Sequence, residues 1–190
     1  MADQDVVELA RRVVRAEPRL GDVRVVAVDG PSGAGKTTFA ERLAVAVAAE
    51  GAAVAVVHLD DLLDGWDDLP TMWPRVESLL LGPLREGRAA RFRAYDWVAG
   101  EFAGPWREVD PGAVLILEGV SSGRAAVRGE LVANVFVDAP EDVRLARVLA
   151  RDGEELREPL RRWAEAEREH FAADGTREAA TLRIAGDRAE

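Results

Sequence analysis

The chain predicts a three-layer α/β/α sandwich on a mainly parallel sheet, and three observations carry that expectation. Short runs of β-branched and aliphatic residues alternate with longer stretches of helical apolar spacing, the pattern of strands joined by crossover helices. Four of the apolar runs close on an acid, Asp29, Asp60, Glu118 and Asp138, which places carboxylates at the strand ends where open α/β sheets bind ligands. Between the first such run and a helical segment lies Gly30-Pro31-Ser32-Gly33-Ala34-Gly35-Lys36-Thr37, a complete G-x-x-x-x-G-K-[ST] phosphate-binding loop.

In chain order, Asp5 to Glu17 sets Val6, Leu9, Ala10, Val13 and Val14 on one helical face, and Pro18 stops it; residues 1–18 are an N-terminal helix packed on the outside. Val23 to Val28 is apolar on both faces, as a central parallel strand must be. The helix Lys36 to Glu50 ends at Gly51, and Ala53 to Leu59 is a second buried strand running into Asp60 and Asp61. Residues 62–111 form an insertion: a loop rich in Asp, Trp and Pro to Pro74, a helix Arg75 to Glu86, a short strand or hairpin Ala89 to Trp97, and a loop with Gly100, Gly104 and Pro105 through Pro111. Ala113 to Leu117 and Leu131 to Val137 are buried strands, and Pro140 opens a helix at its first position. That helix and the charged stretch Glu154 to Phe171 make a helical lid over 144–175, and Thr181 to Ile184 offers a last short strand. The whole chain, 1–190, is one P-loop NTPase domain.

The loop motif has a chemistry at each position. Its glycines fold the backbone into a concavity of inward N–H groups, so Gly30, Ser32, Gly33, Ala34, Gly35, Lys36, Thr37 and Thr38 are the expected cradle for the phosphates of ATP. Lys36 brings positive charge to the β/γ-phosphates, Thr37 a hydroxyl to Mg²⁺, and the helix N-terminus its dipole. With 190 residues, 48% of them apolar, the chain can bury one sizeable core. A formal net charge of −10 argues against a nucleic-acid partner. The absence of cysteine, with a charged N-terminus lacking an apolar leader, points to the cytoplasm; no apolar run is long enough for a membrane, and a homo-oligomer is compatible with the sequence.

A phosphate-binding loop alone does not separate a kinase from a switch or a mechanical ATPase. Asp60, one strand over, can accept a proton from a substrate hydroxyl attacking the γ-phosphate, or it can cap a loop. Glu118 can hold Mg²⁺ through water, or end its strand in solvent. Arg144, Arg147 and Arg151 share one helical face, where they meet a phosphate or pair with Glu141, Asp142, Asp152 and Glu155. Trp66, Trp73, Trp97 and Trp106 cluster in the insertion, either to stack on a planar acceptor or to core a small subdomain. His58 reads as a core or strand-edge residue and His170 as solvated.

From about Val25 to Gly186 the chain resembles the uridine kinase family of P-loop nucleoside kinases, closest to a compact bacterial branch. The similarity rests on His58-Leu59-Asp60-Asp61, Tyr95-Asp96-Trp97, Ile116-Leu117-Glu118-Gly119, and Val135-Phe136-Val137-Asp138 followed by Arg144, Arg147 and Arg151-Asp152. The resemblance implies Asp60 as the base on a sugar hydroxyl, Glu118 near Mg²⁺, Asp67 near a sugar hydroxyl, Tyr95 against the nucleoside, and Arg147 and Arg151 as lid arginines. Two departures stand out. Val98-Ala99-Gly100-Glu101 lies where the family places a pyrimidine-reading histidine, and Gly153-Glu154-Glu155-Leu156 replaces its Arg-Gly lid sequence. The expected activity is ATP-dependent phosphorylation of a small-molecule hydroxyl, a uridine- or cytidine-like nucleoside being favoured by the resemblance. Kinases of other small hydroxyl compounds and a P-loop regulatory ATPase with a protein partner are the alternatives.

Overall fold

The computed structural model describes residues 3–186, so the ends of the predicted 1–190 unit lie outside the described residues. Five strands form one parallel sheet in the order β2-β5-β1-β6-β7: β1 Arg24–Asp29, β2 Val54–His58, β5 Val114–Glu118, β6 Leu131–Asp138 and β7 Leu182–Ala185. Residues alternate between the two sheet faces and so feed two cores. Val26 and Val28 of β1, with Ile116 and Val135, meet helices α1 Asp3–Arg15 and α2 Lys36–Ala49 through Val6, Leu9, Phe39 and Leu43. Val25 and Ala27, with Leu115 and Leu117, face the insertion and Trp163 of helix α6 Arg157–Asp174. The sandwich is therefore the expected one. β2 differs in degree: as an edge strand it is only half-buried apart from Val57, and sequence hydrophobicity does not say which parallel strand lies outermost.

The insertion departs further from expectation. A 3₁₀ turn, Leu59–Leu62, carries Asp60 and Asp61, and the predicted helix forms as α3 Trp73–Val76, a π turn over Glu77–Leu81, and α4 Gly82–Arg85. Pro83 has no N–H to return to the helix and its ring crowds the preceding turn, which accounts for the widening just ahead of it. β3 Ala90–Asp96 is confirmed, but the expected loop after it is a strand, β4 Glu101–Val109, antiparallel to β3. Gly104 and Pro105 signalled a loop; instead the register shifts where they stand, since Phe92 pairs with Arg107 and Ala94 with Ala103. A bulge and an edge position are where a strand tolerates proline. Two helices complete the chain: α5 Glu141–Asp152, for which Pro140 is the cap rather than the first turn, and the short α7 Thr176–Ala179. No helix of the described residues is long and apolar enough to cross a membrane.

Candidate active site

The phosphate-binding loop leaves β1 at Gly30 and enters α2 at Lys36. Gly33 has φ +76°, and a Cβ there would fall 2.5 Å from the Arg144 carbonyl oxygen of α5, so the loop touches α5 backbone to backbone. Gly186, after β7, crosses Ala34 just as closely, leaving no room for a side chain. Lys36 is buried and its Nζ donates to the Pro31 carbonyl at 3.1 Å, curled within its own loop. The Arg147 Nη1 donates to the Gly33 carbonyl at 3.1 Å, which brings one of the three predicted arginines onto the loop.

Glu118, buried at the end of β5, stands level with Val28 of β1 and His58 of β2. Its Oε2 accepts from the Thr37 hydroxyl at 3.4 Å and lies 2.5 Å from His58 Nδ1. His58 is thus more than a strand-edge residue: hydrogen bonding to Glu118 holds its pKa above the ordinary imidazole value, against the opposing effect of partial burial. Asp60 follows one turn on. Solvent reaches its carboxylate, yet the surrounding walls strip enough hydration to raise its pKa, with Glu118 adding repulsion and Lys36 and Arg151 opposing both. Asp61 is committed elsewhere, paired with Arg107 of β4.

Three more buried acids surround the site: Asp29, expected only as a strand-end acid, and Glu167 and Asp68, which the sequence did not single out. Asp29 accepts backbone N–H bonds from Gly30 at 2.7 Å, Ser121 at 3.0 Å and Gly123 at 2.8 Å, tying the loop to the segment after β5; burial pushes its pKa up to about 6 despite those donors and Lys36. Glu167 of α6 accepts from the Ser32 N–H at 2.9 Å. Asp68 binds Thr71, Arg75 and the Asp64 N–H, bracing the insertion loop.

The acceptor-side residues are gathered, though not all at one point. Trp66 and Trp97 have ring centroids 5.1 Å apart, Tyr95 stands 5.2 Å from Trp97, and Phe102 5.3 Å from Tyr95. Trp73 and Trp106 lie apart from this group, under Arg124 and between Arg91 and Arg93. Asp67 is exposed on the insertion loop, and Asp96 caps the hairpin turn by accepting from Val98 and Ala99, both at 2.9 Å. Arg151 is bidentate with Asp152, at 2.6 and 2.7 Å, the ion-paired alternative for that residue. The Arg144 Nε donates to the Ala139 carbonyl at 3.0 Å, and the side chain lines a cavity of about 670 Å³ between α5 and α6 that opens beside Ser32 rather than over Asp60.

A glycine-hinged anion cradle, a buried lysine and a strand-end carboxylate on a parallel sheet define a P-loop nucleotide-binding protein. A family model described as an AAA domain, AAA_18, matches residues 26–171. A uridine kinase of Deinococcus deserti is 33% identical over 152 residues, covering 71% of this chain and 72% of that protein. A uridine kinase of Leuconostoc citreum is 30% identical over 148 residues, 69% of each. The chain therefore belongs to the uridine kinase-like family of P-loop proteins. The fold agrees: a protein described as a possible uridine kinase from Bacillus stearothermophilus superposes with TM-score 0.70 at 18% identity, over 97% of this chain and 100% of that one. A candidate fructose transport system kinase from Silicibacter sp. TM1040 gives TM-score 0.60 at 22% identity, over 94% and 98%.

Proposed function

We propose that this protein is an ATP- and Mg²⁺-dependent kinase that phosphorylates a hydroxyl of a small molecule, with a nucleoside as the favoured acceptor. The observation that carries the reading is the placement of Asp60 and Glu118 at the ends of neighbouring strands, facing the loop that holds Lys36 and Thr37. When bound, Mg-ATP supplies the phosphoryl group and the metal charge that offsets the ADP leaving group. Lys36 and the loop N–H groups would hold the phosphates, and Arg147 stands close enough to the loop to add its charge there. Thr37 and Glu118 would supply oxygens to Mg²⁺, an ion that takes most of its other ligands from phosphate and water.

Asp60 would accept the hydroxyl proton as the oxygen attacks phosphorus. Its raised pKa makes it a better base than an ordinary surface aspartate, while Lys36 and Arg151 keep the carboxylate form accessible. The aromatic group of Trp66, Tyr95 and Trp97 offers faces for a planar acceptor, and Asp67 a polar partner for its sugar. The turn Trp97 to Gly100 carries no side chain to read a pyrimidine edge, and Asp96 is spent on its backbone. Uridine and cytidine are therefore expected to be weak acceptors. The experiment is ADP release from Mg-ATP with a panel of nucleosides, vitamins and sugars. Acceptor-dependent release supports the kinase reading, and release that no hydroxyl compound accelerates refutes it. Uridine turnover at a specificity constant of about 10⁴ M⁻¹s⁻¹ or more would refute the acceptor argument alone.

A further inference from the structure

Helix α6 carries two buried polar side chains one turn apart, Trp163 and Glu167, which the chemistry above leaves without a role. Glu167 is 2% exposed and Trp163 5%, in a helix whose other charged residues are mostly solvent-exposed. Spaced four residues apart, they share one helical face, and that face meets the phosphate-binding loop. Glu167 Oε1 accepts from the Ser32 N–H at 2.9 Å, the Ser32 hydroxyl at 2.5 Å and Trp163 Nε1–H at 2.5 Å; the same Nε1 lies 2.9 Å from Ser32 Oγ. A buried carboxylate stripped of such donors is strongly unfavourable, so this cluster fixes α6 to the first turn of the loop.

The indole also faces the acceptor side. Trp163 packs edge-on against Trp66 at 6.3 Å, and Trp66 leads to Trp97 at 5.1 Å and Tyr95 beyond. A continuous line of contacts thus runs from Ser32 through Glu167 and Trp163 to the hairpin tip. Phosphates arriving in the loop bring negative charge towards an amide that already serves a carboxylate. An adjustment of Glu167 would act first on its hydrogen-bonded neighbour Trp163, whose ring meets Trp66. The charge of Glu167 is also felt at Asp60, whose pKa it raises. We propose that Trp163 and Glu167 are a positioning pair that couples occupancy of the phosphate-binding loop to the arrangement of the acceptor-side aromatics.

The inference rests on the loop being the nucleotide site and the insertion the acceptor side, so its test reads the two ends separately. Backbone hydrogen exchange is measured on the full chain with and without the non-hydrolysable ATP analogue AMP-PNP and Mg²⁺. In the wild-type protein, exchange should slow in the loop and α2, and also change by roughly fivefold or more around Trp66 and the β3–β4 turn, the lower end of ordinary coupling between sites. Glu167→Ala and Trp163→Phe should keep the loop response and lose the remote one. Glu167→Gln, whose amide oxygen accepts from the same donors but carries no charge for the phosphates to repel, should weaken the remote response while keeping the fold, and keeps the test open if the alanine variant does not fold. A remote response undiminished in Glu167→Ala and Trp163→Phe overturns the proposal, as does a wild-type protein in which only the loop responds. No response at the loop itself overturns the nucleotide-site reading, and the pair with it.

Discussion

Replacing Asp29 with asparagine should change how stability depends on pH. Asp29 is wholly buried, and loss of hydration pushes its pKa to about 6 from an ordinary 3.8, against the N–H bonds of Gly123, Gly30 and Ser121 and the charge of Lys36. Because the folded-state pKa lies above the unfolded one, folding favours the protonated form. That contribution is full below 3.8 and is lost as pH rises through about 6. At about 1.36 kcal/mol per pH unit the gap amounts to about 3 kcal/mol, of which about 2 kcal/mol falls between about pH 4.5 and about pH 7.5. Asparagine does not titrate. It leaves one of the three N–H donors poorly served, a fixed offset of about 1–3 kcal/mol that does not vary with pH. Urea unfolding of both proteins across that range should show the difference in stability moving by about 2 kcal/mol in the variant's favour as pH rises. A difference that stays constant to within about 0.5 kcal/mol would refute the argument and place the Asp29 pKa near its ordinary value.

Lys36→Ala should lower nucleotide affinity or turnover by several orders of magnitude with the circular-dichroism spectrum unchanged, since the phosphates lose their buried cation; unaltered turnover would remove the loop from the chemistry. Asp60→Asn should keep near-normal ATP affinity by calorimetry while the transfer rate falls about 10²–10⁴-fold, and the reverse result would make Asp60 a binding residue. Gly33→Ala places a methyl against the Arg144 carbonyl at a φ of +76° and should cost about 1–3 kcal/mol, read as a fall of roughly 2–10 °C in Tm; an unchanged Tm would mean that α5 is free to retreat from the loop.

What sequence could reveal follows from how local each signal is. The phosphate-binding loop is contiguous, and β1, β5 and β6 are apolar on both faces because both faces are covered, so loop and strands were legible residue by residue. β4 was hidden by its own bulge: Gly104 and Pro105 carry the composition of a loop and are accommodated only because β3 opposite them shifts register. Asp60 and Glu118 were legible from position alone, as acids ending apolar runs. His58 was not, since its partner is 60 residues away and meets it through the β2–β5 register. Glu167 is the hardest case. It stands among many acids on a charged helix, and only its four-residue spacing from Trp163 hints at a shared face; its burial depends on Ser32, 135 residues earlier.

The hairpin β3–β4 forms a sheet of its own, hydrogen-bonded to no strand of the five-stranded sheet. Ala90, Phe92 and Val109 root it in the core, whereas Trp97, Val98 and Trp106 project beyond it. The phosphate-binding loop and the ribbon that carries Tyr95 and Trp97 thereby belong to separate units of backbone. Altering the residues between Arg93 and Arg107 leaves every hydrogen bond of the parallel sheet in place. On the proposed kinase reading, a lineage can retune contacts to the acceptor by rewriting about fifteen positions of a single ribbon, and a laboratory can graft or randomise that ribbon and select for new acceptors with the phosphate-binding loop unchanged.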